Sequence, residues 1–133
     1  MSFIYSPPAV IPPQIENIVF VVATADNDAA VKTGIPGILS MPYTLTISSI
    51  RMDIDTAPTG SNLIVDMNWN GSTAMVNRFT IEATEFSTTT AATAPSLISN
   101  TLAVGTKVTF DIDQVGATVK GRFIQVTLTG VRS

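Results

Sequence analysis

Residues 66–77 read DMNWNGSTAMVN, and the step Asn70-Gly71 at their centre decides the fold class. Asn-Gly between two alternating runs is the strongest short-range hairpin signal in a sequence, because both central residues of a type I′ turn take positive φ. Upstream, Leu63, Val65, Met67 and Trp69 fall on one face of a strand. Across a two-residue loop, Trp69 is predicted opposite Ser72, Met67 opposite Ala74 and Val65 opposite Val76. Large residues on one strand then meet small ones on the next. Trp69 shares the core stripe, so packing beneath its own sheet is the favoured reading. A contact between subunits and an exposed ligand platform are the alternatives.

Outward from the hairpin the chain keeps the period of two. In YTLTISSIRMDID, residues 43–55, the apolar positions run Leu45, Ile47, then Ile50, Met52, Ile54. The phase slips by one at Ser48-Ser49, as a β-bulge or a strand break requires. The stretch Ala57-Pro58-Thr59-Gly60 is a turn, with proline fixing one φ and glycine free to take a positive one. RFTIEAT (78–84) directs Phe79, Ile81 and Ala83 inward; TKVTFDID (106–113) and RFIQVTLTG (122–130) alternate cleanly. ENIVFVV (16–22) is a continuous apolar run suited to a buried strand. DNDAAVKTGIPGI (26–38) reads as a loop in which Val31 and Ile35 are candidate anchors, and STTTAATAPS (87–96) as a surface crossing. Seven or eight short strands with regular turn spacing predict an all-β fold, an antiparallel β-sandwich or jelly roll.

Ahead of this body, YSPPAVIPPQ (5–14) carries Pro7, Pro8, Pro12 and Pro13, which forbid helix and favour an extended polyproline-II path. Residues 1–17 are read as an arm and 18–133 as one sandwich domain. At ~3.1 Å per residue the stretch from Ile4 to Ile15 reaches about 35 Å. Ile4, Tyr5, Val10, Ile11 and Ile15 make it apolar, where a linker would be polar, so it is expected to lie on a partner.

Only 13% of the 133 residues are charged, against about 25% in an ordinary domain, and mean hydropathy is +0.37. So little charge protects a monomer poorly against association, and self-association is expected. A net charge of −3 without clustered Lys/Arg argues against a nucleic-acid partner. The apolar run Ile18–Ala23 is too short to cross a bilayer, so no membrane partner is expected. The opening MSFIYSPPAV lacks the features of a signal peptide, and synthesis in a cytoplasm is the expectation.

Chemistry is sparse. The chain has no Cys and no His, which removes thiolate metal sites and the usual proton-transfer group. The pairs Asp53/Asp55 and Asp111/Asp113 read as solvated outer faces of strands, with calcium as the competing reading. Asp26-Asn27-Asp28 resembles the start of a calcium loop but lacks its downstream glycine and glutamate. No enzyme activity, cofactor or metal is expected.

From APTGSNLIVDMNWNGST (57–73) through STTTAATAP (87–95) to DIDQVGATVKGRFIQVTLTG (111–130), the sequence resembles a small β-sandwich domain of tailed-bacteriophage virion proteins. The resemblance rests on the turn at 57–60, Asp66 before the hairpin, Asn70-Gly71, the Ser/Thr-Ala crossing and the strand end Asp111–Gly116. It departs from the pattern at Gly105-Thr106, where Gly-Asp is usual. The resemblance implies a virion structural protein, often a trimer, assembled in the host bacterial cytoplasm. A free-standing domain with an apolar arm points to a capsid decoration or cement subunit, with the major capsid protein as partner. The alternative is a tail-fibre or baseplate component that binds a host receptor.

Overall fold

A computed structural model describes residues 14–133. Among these the elements in chain order are β1 (Gln14–Ala23), β2 (Lys32–Ile38), β3 (Leu45–Thr56), β4 (Leu63–Trp69), β5 (Ser72–Thr73), β6 (Met75–Asn77), β7 (Phe79–Ile81), a single 3-10 turn (Thr88–Thr90), β8 (Ser96–Leu97), β9 (Thr101–Leu102), β10 (Val108–Gln114) and β11 (Arg122–Arg132). One sheet runs β1-β11-β3-β9 and the other β2-β10-β4-β5, with β7 also on the β5 side of β4; β6 and β8 form a small separate pair. The pairings within both sheets are antiparallel. The architecture is the antiparallel sandwich expected from the alternation.

The core lies between the two sheets. Met52 and Ile54 of β3, with Ile124, Val126 and Leu128 of β11, face Val65 and Met67 of β4 and Phe110 and Ile112 of β10, all buried. The rings of Phe20 (β1) and Phe110 (β10) meet across the layer with centroids 5.2 Å apart in a tilted arrangement, a favourable geometry for their quadrupoles. The slip at Ser48-Ser49 is a bulge: β11 residue Gly130 pairs with Ile47 and Thr129 with Ser49, leaving Ser48 as the extra residue. The Ser48 hydroxyl donates to the Thr129 carbonyl, so the bulge is tied locally.

Three expectations need correction. First, 26–38 is not all loop, because Lys32–Ile38 is a strand on β10. Ile35 anchors it, while Val31 is exposed. Its glycines and proline suggest a turn, but the Asp111 carboxylate accepts from the Gly34 N–H at 2.8 Å and holds the irregular strand in place. Second, Val65 pairs with Phe79, not Val76. β5 ends after two residues, where the Met75 N–H donates to the Thr73 hydroxyl and turns the chain away, which leaves Val76 exposed. Third, 16–22 is an edge strand with one solvated face. It buries Phe20 and Val22 but exposes Val19 and Val21.

Candidate functional site

The hairpin turn forms as its residues dictate. Asn70 and Gly71 have φ of 52° and 83°, the left-handed pair of a type I′ turn. The turn is also pinned from outside: the Asn70 N–H donates to the Lys107 carbonyl at 2.9 Å, and the Lys107 N–H donates to Asn70 Oδ1 at 3.0 Å. Trp69 pairs with Ser72 on one side and Val108 on the other. It is half-buried against the core. Its indole Nε1 is shielded from solvent yet has no acceptor. Part of the Trp69 ring therefore packs on the core beneath its own sheet, and the rest faces outward.

Most carboxylates of the outer faces have local partners, Asp55 of the predicted Asp53/Asp55 pair being exposed at the end of β3. Asp111 accepts from Gly34 and from Asn68 Nδ2 at 2.9 Å, and Asp113 accepts from Arg78 at 2.9 Å. Asp66, opposite Asp111 in the register, accepts from the Thr73 hydroxyl at 2.6 Å. Burial pushes the Asp66 carboxyl above the usual carboxylate range; the Thr73 bond opposes this, and the nearby Asp113 and Asp111 charges add to it. On the other sheet, Arg51 grips Asp53 through two bonds of 2.9 and 2.7 Å, which holds that carboxyl below its ordinary value despite partial burial. Asp28 of the 24–31 loop is bound by Arg122 at 2.8 Å. No group of three or more metal-capable side chains exists among the described residues.

A concavity of about 470 Å³ lies between the β3 bulge and the 88–100 crossing. Ile47, Ser48, Thr88, Pro95 and Leu97 line it, without a charged or aromatic side chain. Such a wall offers shallow apolar contact and hydroxyls, and nothing that would orient a charged ligand.

No protein-family model matches the chain, and neither a curated protein nor a solved structure matches it. The residues themselves must carry the reading. Two of the motifs behind the virion resemblance, the 57–60 turn and the stretch after Gln114, meet at one end of the sandwich, while Asn70-Gly71 lies at the other end of β4 beside Lys107. The Thr59 N–H donates to the Val119 carbonyl (2.9 Å), Thr118 N–H to the Thr59 carbonyl (3.0 Å), and Val119 N–H to Thr59 Oγ1 (3.0 Å). The turn at 57–60 and the loop after Gln114 thus interlock. The Ser/Thr-Ala crossing docks on β3, where the Met52 N–H donates to the buried Thr88 hydroxyl and the Ile54 N–H to the Phe86 carbonyl.

Of the arm residues, Ile4, Tyr5, Pro7, Pro8, Val10, Ile11, Pro12 and Pro13 lie outside the described residues. Ile15, assigned to the arm on sequence, is in β1 opposite Val131 and 72% exposed. Gln14–Asn17 are sheet residues with partners from Arg132 to Thr129. The exposed apolar residues that sequence reasoning missed are Ile15, Val19 and Val21 on the outer face of β1. Their signal was a run apolar on both strand faces.

Proposed function

We propose that this chain is a structural subunit of a bacteriophage virion, of the capsid decoration or cement kind, attached to the shell through its N-terminal arm. The observation that carries this reading is the sequence continuity between the apolar, proline-rich arm and an edge strand whose outward residues are exposed aliphatics. Together they make one adhesive strip on a body whose outer carboxylates are mostly locally bonded. Prolines 7, 8, 12 and 13 restrict the free arm, so docking costs it less conformational entropy than it would cost a flexible segment. Weak contacts repeated over a symmetric shell then sum to firm attachment.

The interlocked turns at 57–60 and 116–119 support the virion resemblance as a fold. A tail-fibre reading needs a receptor-binding surface, and Trp69 at the hairpin is partly taken up in packing. Copy number and truncation test the proposal. A cement subunit is expected in hundreds of copies per particle by quantitative mass spectrometry, a fibre subunit in a few tens at most. Deleting residues 1–13, which leaves β1 whole, is expected to yield a folded body that no longer sediments with shells. Full decoration by the truncated protein would refute the arm mechanism.

A further inference from the structure

The four sheet edges of the sandwich are not alike. At the far edge of the first sheet, β9 is only two residues long, and beyond it Phe86–Thr88 bond to β3 as a covering strand. In the second sheet, β2 is broken by Gly34 at φ 67°, Pro36 and two register shifts. The opposite edge is divided between β5, of two residues, and β7, of three. Short, bulged, covered or proline-bearing edges are how natural sheets avoid joining one another.

β1 carries only one of these devices, a register irregularity at its very end, between Val21 and Ala23. It is ten residues long, without proline or glycine, and its register on β11 is unbroken from Gln14 to Val21. Among the described residues, no backbone group outside β11 bonds to it. Its one charged residue, Glu16, is held by Arg132 at 3.7 Å. Outward it presents Ile15, Val19 and Val21, which are 72%, 53% and 48% exposed, with Asn17 between them bonded to the Thr129 hydroxyl. The outward positions of its neighbours are mostly polar, with Gln125, Thr127 and Thr129 on β11 and Ser49, Arg51 and Asp53 on β3. Other exposed aliphatics, such as Leu39, Ile98 and Val104, stand in loops.

We propose that β1 pairs edge to edge with β1 of a second copy, antiparallel about a two-fold axis, joining two four-stranded sheets into one of eight. Self-pairing is selected by charge as well as by shape. The register that overlaps all of Ile15–Val21 sets Ile15 opposite Val21 and Asn17 opposite Val19 of the second copy. It places each Glu16 opposite Phe20, so no like charges meet. The stripe, aliphatic but for Asn17, offers no charge or pocket by which a foreign strand would be chosen. The pairing goes beyond the virion reading and does not depend on it.

The test is sedimentation of the full chain over a concentration series, beside three variants. The wild type is expected to move from one chain to two. Val19→Lys with Val21→Lys, both at exposed positions, is expected to stay a single chain with unchanged circular dichroism and melting. Thr127→Lys, on the same outer face but one strand inward, is expected to dimerise as the wild type does, as is the chain lacking residues 1–13. A wild type that is monomeric at every concentration overturns the proposal, as does a trimer indifferent to the Val19/Val21 charges. Dimer loss in Thr127→Lys would indicate face-to-face stacking instead. Dimer loss on deleting 1–13, with the Lys variant still associated, would make the arm the interface. Should the Lys variant melt early, hydrogen exchange decides: β1 amides protected in the wild-type dimer must exchange faster on dilution to monomer.

Discussion

Replacing Gly116 with alanine tests whether the interlocked turns hold the sandwich end together. A Cβ at this position would collide with the Val119 carbonyl oxygen and stand 2.9 Å from both the backbone nitrogen and the carbonyl oxygen of Thr59. All three obstacles are main chain, so no side-chain rotation relieves them. The 116–120 loop must instead lift from the 57–60 turn, straining Thr59 N–Val119 O, Thr118 N–Thr59 O and Val119 N–Thr59 Oγ1. Losing two such bonds costs about 2 kcal/mol at ~1 kcal/mol each. Residual overpacking adds about 1–3 kcal/mol, and the stiffer unfolded chain returns about 0.4–1 kcal/mol. The expected net loss is ~3 kcal/mol, or a fall in Tm of about 10 °C for a domain of this size. Urea unfolding followed by fluorescence of the single tryptophan measures it. A loss below about 1 kcal/mol would mean that the loop yields freely and that the interlock is incidental.

Trp69→Phe is expected to cost little, under about 1 kcal/mol, because the indole N–H it removes has no acceptor; a loss of several kcal/mol in thermal melts would reveal an unrecognised bond. Thr88→Val leaves the Met52 N–H unpaired at a buried site and should destabilise by about 1–3 kcal/mol, whereas Thr88→Ser should retain most of the stability. Asp66→Asn keeps an acceptor for Thr73 while removing a carboxyl whose folded pKa is raised. The folded state holds that proton more tightly than the unfolded chain, so the wild type loses stability as pH rises through the folded value. The variant should therefore be the more stable near neutral pH and lose its advantage in acid, and equal melting differences at both pH values would contradict this.

What could be seen in the sequence was what neighbouring residues determine. Asn70-Gly71 gave away its turn because positive φ is a property of two adjacent residues, and the Ser48-Ser49 bulge showed as a break in a local period. β2 was hidden because Gly34, Pro36 and Gly37 look like turn residues, and the bond that straightens them comes from Asp111, far along the chain. The interlock of Thr59 with Val119 spans a similar gap and leaves no spacing signature. β1 was recognised as a strand but misplaced in the sheet, since a short run apolar on both faces does not say what covers the second face.

That ambiguity also bears on how firmly copies of the chain would join. Pairing two β1 strands would cover six half-exposed aliphatic side chains at roughly 1 kcal/mol each, given about 1.5–3 kcal/mol for complete burial. A handful of edge hydrogen bonds adds about 1 kcal/mol apiece. Association costs about 4–15 kcal/mol in lost translational and rotational freedom. The balance is small but favours two chains as concentration rises, and it grows when a surface already holds them side by side, because the second contact is then intramolecular. An edge of this strength suits a subunit that must remain separate while it is synthesised and join its neighbour once both have docked. A longer or greasier strip would drive association before docking, and a charged one would not join at all.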